Sequence, residues 1–348
     1  MSNNNNNKYI YNIYKNKNFT PIWLMRQAGR YLPEYLKIRK NKQNFLELCY
    51  DAKLASEITL QPIKRFNFDA AIIFSDILVI LDALGAKVRF AKNHGPIIET
   101  NIDEFIETNN NSSIIKTKIN NKLAPIYEAI IITRKKLPEK TSLIGFAGAF
   151  WTLFAYLIEG EGSKTFYQAK SFYLNNPQKF TKIKDILCEA ISIHLQNQID
   201  AGCDTIQLFD SWVSVLSPYH IDNLVIEPTK EIVKQVKNNQ AKIICFPRGI
   251  SSYYDKFAKE IDFDIFALDY NTPIELAVKI YDNYGKAIQG NLDPTILLAN
   301  DYQILSREVK HILSSTKNIP AIFNLGHGIL PSTPIKNVEN LMKIIREY

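Results

Sequence analysis

Two guanidinium groups four residues apart, Arg26 and Arg30, lie in the segment Pro21–Tyr35, PIWLMRQAGRYLPEY, with three aromatic residues and a glycine. That spacing would put both on one face of a helix. Gly29 and Pro33 oppose a long one, because in a helix interior Gly costs roughly 1 kcal/mol and Pro roughly 3 kcal/mol relative to Ala. The segment therefore reads as a short positioned loop presenting two planar cations. Arginine suits bidentate capture of carboxylate or phosphate, and a neighbouring glycine lets backbone approach a ligand closely. On spacing alone, a pair of arginines held in local salt bridges is an equal alternative.

Three further positions have the same double character. Asp76 follows the apolar run Ala70–Ser75, where an unpaired carboxylate is costly to bury; a helix N-cap is the plainer reading, an acceptor in a reaction site the sharper one. Gly145 and Gly148 in GFAGAFWTL suggest either backbone brought close to a ligand or a tight strand-to-helix turn, with the Tyr156 phenol downstream. His327, flanked by Gly326 and Gly328 in NLGHG, sits on backbone flexible enough to expose an imidazole at a strand end.

The segment Pro21–Tyr35 closely resembles the N-terminal signature of the uroporphyrinogen decarboxylase family. Further segments follow in that family's order: IIFSDILV at Ile72–Val79, GFAGAFWTL at Gly145–Leu153, EGEGSKTF at Glu159–Phe166, QLFDSW at Gln207–Trp212, QGNLDP at Gln289–Pro294 and FNLGHGILPSTP at Phe323–Pro334. The resemblance implies a cofactor-free carboxy-lyase that converts the four acetates of uroporphyrinogen III to methyl groups. It implies Asp76 and Arg26 as catalytic residues, with Asp76 facing the pyrrole N–H groups. It also implies a substrate site lined by Arg26, Gln27, Ala28, Gly29, Arg30, Arg39, Asp76, Tyr156, Ser211 and His327. A homodimer with facing clefts is implied as well. Two positions depart from the family: Phe150, where Pro is usual, and Tyr270, where Trp is common and the change reads as packing variation. Zinc- and corrinoid-dependent methyltransferases resemble this family but need a His-x-Cys pair and a distant Cys; no His-x-Cys occurs here. A non-enzymatic tetrapyrrole-binding protein is a third reading.

Bulk properties agree with a small anionic ligand. The 348 residues are 46% hydrophobic and 22% charged, with a net charge of +7, enough to bury one large core. The basic residues are scattered, with no run of the kind that tracks nucleic acid, and no stretch reaches the ~18 apolar residues of a membrane span. Cys49, Cys188, Cys203 and Cys245 lie far apart, which signals no zinc site and no disulfide framework, and suits reduced core residues in a cytoplasmic protein. Residues 1–18, rich in Asn, Lys and Tyr, read as a flexible arm with no targeting signal, leaving 19–348 as the catalytic domain.

Short apolar runs must position these side chains: Ala70–Ser75, Ser142–Ala147, Thr205–Phe209, Lys242–Phe246, Ile265–Leu268, Lys286–Ile288 and Ala321–Leu325, with an eighth at Pro21–Leu24. Helical patterns separate most of them, among them Phe45–Phe66, Pro177–Ala201, Thr272–Tyr284 and Thr295–Ser315. Alternating buried strands and helices predict a single-domain (β/α)8 TIM-like barrel, interrupted by apparent insertions at Lys87–Thr100 and Asn109–Asn121. In such a barrel the loops after the strands build the site, which places Asp76, Gly148, Asp210, Arg248, Asp269, Asn291 and His327 in one polar ring.

Overall fold

The seven firm apolar runs become the seven strands of one curled parallel sheet. The computed structural model describes residues 7–15, 19–40, 44–90, 95–237 and 240–348. In chain order the strands are β1 (Ala70–Ile72), β2 (Lys87–Phe90), β3 (Pro96–Glu99), β4 (Ser142–Gly148), β5 (Thr205–Asp210), β6 (Lys242–Pro247), β7 (Ile265–Ala267), β8 (Ala287–Leu292) and β9 (Ala321–Leu325). The main sheet runs β1-β4-β5-β6-β7-β8-β9, every neighbour parallel. Its strands are covered on both faces, which is why they read as continuous apolar runs instead of alternating ones.

Pro21–Leu24 closes the barrel between β9 and β1. Phe323 N–H donates to Pro21 O at 2.8 Å, and Asp69 N–H donates to Ile22 O at 2.9 Å. Only one parallel bridge forms, between Ile22 and Phe323. The segment stops short of a strand because the Asp69 carboxylate, not a strand carbonyl, accepts the Ile22 N–H at 2.8 Å, and because Arg26 turns the chain with a left-handed φ of 63°. Inside, Ile72, Ile144, Ile244, Ile265 and Ile322 pack with Trp23 and Phe246. A polar chain crosses this interior: Trp23 Nε1 donates to Gln289 Oε1 at 3.0 Å, and Gln289 Nε2 to Gln207 Oε1 at 3.2 Å.

The structure corrects three expectations. Residues 7–15 are not a loose arm: Ile10 and Ile13 are almost fully buried in the inner cluster. Ile10 N–H donates to Ser142 Oγ at 3.0 Å, while Tyr14 Oη donates to Asp264 O at 2.6 Å and accepts from Ala287 N at 3.1 Å. The segment thus plugs the end of the barrel where β4, β7 and β8 begin; the rest of 1–18 that was read as arm, 1–6 and 16–18, lies outside the described residues. Second, Asn109–Asn121 is no insertion: it opens the 25-residue helix Ser112–Lys136, whose start is capped by Asn111 Oδ1 accepting from Ile114 N. Third, Phe45–Phe66 and Thr295–Ser315 each split. Asp51 starts a new helix over Ala52–Phe66 by accepting Leu54 N–H at 3.0 Å, and Asp301 starts one over Tyr302–Thr316. Within Lys87–Thr100, β2 and β3 pair antiparallel outside the barrel sheet, and residues 91–94 lie outside the described residues.

Candidate active site

The loop carrying Arg26 is spliced between the first and last barrel strands by its buried neighbours. Gln27 is fully buried; its Oε1 accepts Leu24 N–H at 3.1 Å and its Nε2 donates to Ala70 O at 3.0 Å. Met25 N–H donates to Asn324 Oδ1 at 3.0 Å, and Ile329 N–H to Met25 O at 2.9 Å. Both polar ends of the Gln27 amide are thus engaged, so its side chain positions the loop instead of reaching a ligand. Ala28 and Gly29 are half-buried backbone of the same turn, and Arg30 is exposed beside it.

Arg26, Asp76 and Tyr156 lie within electrostatic reach of one another. Burial pushes the Asp76 carboxyl up to about 6, against the Leu78 N–H and the Arg26 charge, which pull it down. Burial likewise raises the Tyr156 phenol, with Trp212 opposing it and the charges of Asp76 and Arg26 acting in opposite senses. Desolvation also weakens the hold of Arg26 on its proton; Asp76 counters this, while Arg30 and Arg248 add to it. Asp76 is not the N-cap of the following helix: that position is Leu78, which has no side-chain cap, and Asp76 closes the turn just before it. Its Oδ1 accepts Leu78 N–H at 2.9 Å, just before the helix Val79–Ala83, and its second oxygen takes no hydrogen bond among the described residues. Local salt bridges for Arg26 and Arg30 do not form there either: no carboxylate lies within direct pairing distance of them among the described residues.

The glycines on either side of His327 pack closely, Gly328 on the Arg26 side chain and Gly326 on the Tyr270 backbone. A Cβ on Gly328 would lie 2.3 Å from Arg26 Cδ, and one on Gly326 would lie 2.1 Å from Tyr270 N. Close packing, not flexibility, is what these glycines provide. Burial lowers the imidazole to about 3, with Arg26 and Arg248 adding to the shift, so His327 is neutral and offers one donor and one acceptor. Gly145 and Gly148 also serve packing: a Cβ would meet Gln198 Oε1 at 2.6 Å in the first case and Leu153 Cδ2 at 2.7 Å in the second.

Ser211, just after β5, is held by a bridge. Its N–H donates to Thr152 Oγ1 at 2.9 Å, and that hydroxyl donates to Asp210 Oδ1 at 2.6 Å. Trp151 Nε1 donates to Trp212 O at 2.9 Å. Trp212 in turn packs near Phe166 and Tyr156, with ring centroids 5.0 and 6.2 Å away, so the motifs at Gly145–Leu153, Glu159–Phe166 and Gln207–Trp212 build one aromatic wall. Phe150, at the first position of the helix Phe150–Glu159, stacks on Phe154 at 5.5 Å. It thereby buries a ring at a helix start where Pro is also accommodated. Arg39 lies further out, in the helix Pro33–Lys40, where it and Arg30 lower the Tyr35 phenol against the dominant effect of burial; the Tyr35 ring is 5.8 Å from Phe74, two residues before Asp76.

The comparisons with known proteins cover this whole arrangement. A family described as uroporphyrinogen decarboxylase (URO-D) matches residues 7–348. The chain belongs to the uroporphyrinogen decarboxylase family. It is 47% identical over 333 residues to a uroporphyrinogen decarboxylase of Rickettsia bellii (strain RML369-C), covering 95% of this chain and 96% of that one. It is 46% identical to one of Orientia tsutsugamushi (strain Ikeda), covering 96% of each. Among solved structures, a methyltransferase from Methanosarcina mazei shares the fold, with a TM-score of 0.76 at 15% identity over 97% of each chain.

Within this family frame, Arg248 and Tyr270 are the residues that sequence reasoning underused. Arg248 stood in the predicted polar ring without a role, and Tyr270 was taken for packing variation. In the structure Arg248 Nη2 lies 3.4 Å from Tyr270 Oη, and the Arg248 charge reaches both Arg26 and His327. The four cysteines are buried and unpaired, and among the described residues no three His, Cys, Asp or Glu side chains converge as metal ligands. No helix among them is long and apolar enough to cross a membrane.

Proposed function

We propose that this protein removes the four acetate carboxyls of uroporphyrinogen III, leaving methyl groups and giving coproporphyrinogen III. The observation that carries this reading is the Asp76 carboxylate near Arg26, which, like Arg30, no carboxylate pairs with directly among the described residues. Such a cleft is built for a ligand bearing several anionic arms around cationic or N–H-rich rings.

The chemistry follows from the substrate. A pyrrole acetate loses CO₂ only if the electron pair of the breaking C–C bond has a sink, and protonating the pyrrole ring carbon creates one. The bond pair then flows into the cationic ring. A proton added at the former acetate carbon and loss of the ring proton restore the pyrrole with a methyl group. The substrate does what a cofactor does elsewhere, so we expect no cofactor or metal requirement. Asp76, mostly ionised at neutral pH, accepts from the pyrrole N–H groups and stabilises the ring cation, a preorganised electrostatic effect of the kind that usually dominates catalysis. Arg26 and Arg30 clamp carboxylates and neutral His327 hydrogen-bonds to them, while Tyr156 and Ser211 line the cleft. We assign the catalytic barrel to residues 19–348, with residues 7–15 packed into its far end, and further propose a cytoplasmic homodimer, since closed two-fold assembly is the commonest.

Anaerobic incubation of the purified protein with uroporphyrinogen III, with and without exhaustive chelation, tests the reading. Product with four fewer carboxyls should accumulate in both arms. Activity abolished by chelator and restored by zinc would move the chain to metal-dependent chemistry, and sedimentation of a fully active monomer would remove the dimer.

A further inference from the structure

Arg248 is the first residue past β6, and its backbone is fixed before any ligand arrives. Its N–H donates to Asp210 O at 3.0 Å. The next residue, Gly249, has a φ of 78°, and a Cβ there would lie 2.4 Å from Ser214 Cβ, so the turn is packed against the loop after β5. Its side chain is far less satisfied. Nε is buried with no hydrogen-bond partner among the described residues, and the single contact of Nη2, to the Tyr270 phenol, is long at 3.4 Å.

The nearby carboxylate that would normally neutralise such a group is already engaged. Asp269 Oδ1 accepts from Asn271 N at 2.9 Å and Thr272 Oγ1 at 3.0 Å, and its Oδ2 accepts from Gly249 N. A buried donor left without a partner is costly, and a guanidinium offers two parallel N–H groups that match a carboxylate. Tyr270 is 36% exposed, so its hydroxyl remains open to a ligand. Gly326 packs on Tyr270 and Gly328 on Arg26. His327, between these two glycines, is within reach of the charges of both Arg26 and Arg248.

We propose that Arg248 and Tyr270 form a second carboxylate-binding subsite, which grips one carboxylate arm of the ligand and sets affinity instead of the chemical step. This rests on the tetrapyrrole reading given above. Steady-state kinetics with uroporphyrinogen III should show Arg248→Gln raising KM about tenfold or more, as expected for losing a charged hydrogen bond, with kcat little changed. Arg248→Lys keeps the charge and should fall between the two; Tyr270→Phe should raise KM less. Binding of uroporphyrin, the oxidised ring with the same carboxylate arms, followed by quenching of tryptophan fluorescence, should weaken in the same order. A fall in kcat at unchanged KM, or wild-type values of both, overturns the subsite. If Arg248→Gln fails to fold, Arg248→Lys decides, and wild-type KM in that variant counts against the proposal. Wild-type protein that turns over no uroporphyrinogen removes the functional reading alone, because equal uroporphyrin affinity in wild type and Arg248→Gln remains the separate result that sinks the subsite.

Discussion

At the scale of single residues, Asp76 exchanges stability for chemistry. Its folded pKa of about 6 lies above the ordinary carboxylate value of 3.8, so folding favours its protonated form. Ionised Asp76 therefore costs stability above pH ~6, and that cost disappears as pH falls towards the unfolded value; a shift of this size corresponds to roughly 2–3 kcal/mol. Asp76→Asn should fold, melt higher than wild type at pH 7 to 8, and lose that advantage near pH 4. Its turnover should drop on the order of a hundredfold, since removing one buried charge opposite another typically costs about 3–5 kcal/mol. In wild type, activity should decline as pH falls through about 6. Thermal melts and rates across that range check both signs, and an Asp76→Asn enzyme with normal turnover would leave the residue as an acceptor that closes the turn at Leu78. Arg26→Lys keeps charge and loses the planar fork, so we expect a raised KM and slow turnover at saturation. Normal binding with the chemical step abolished would make Arg26 the proton donor. Arg26, Asp76 and His327 stand out in the sequence by residue type and position, and Tyr156 and Ser211 only through the family resemblance; the structure brings Arg26, Asp76 and Tyr156 within electrostatic reach. The buried state of Gln27 was not legible in the sequence, since a polar residue beside two arginines looks the same whether it faces ligand or core. Arg248 and Tyr270 have no spacing signal because their contact joins the separate loops after β6 and β7.

At the scale of elements, Gly328, next to His327, leaves the space that the Arg26 side chain occupies. Gly328→Ala puts a methyl group where Arg26 Cδ runs and should push the guanidinium out of register. A displacement of about 1 Å can cost as much as a hundredfold in rate, so kcat/KM should fall at least tenfold while the melting temperature moves little. Unchanged kinetics in Gly328→Ala would detach the Arg26 geometry from catalysis. The strand positions were readable because both faces of each strand are apolar, and the observed β9, Ala321–Leu325, matches its run residue for residue. Helix breaks were less visible. Nothing in periodicity marks Tyr50 and Asp51 as a boundary inside an otherwise continuous apolar pattern; a carboxylate that caps Leu54 does.

At the scale of the whole molecule, the barrel is completed at two places by segments outside its seven-stranded sheet. Pro21–Leu24 fills the gap between β9 and β1, and residues 7–15 seal the end opposite the site. The plug was hidden in the sequence because Asn and Lys dominate residues 1–17 and mask Ile10, Ile13 and Tyr14. Ile10→Ala and Ile13→Ala should each destabilise the fold by about 2–5 kcal/mol, as buried Ile truncations do. Because the plug is remote from Asp76, the activity of the folded fraction should stay near wild type. Denaturant midpoints unchanged in both variants would mean the segment is not part of the core. The central claim is that an ionised Asp76 near Arg26 lets this protein decarboxylate a tetrapyrrole that serves as its own electron sink. The most direct test is anaerobic incubation of wild type and Asp76→Asn with uroporphyrinogen III, followed by a count of carboxyls in the product. The account predicts a product with four fewer carboxyls from wild type and almost unaltered substrate from the folded variant; unaltered uroporphyrinogen from wild type, or equal conversion by both proteins, would contradict it.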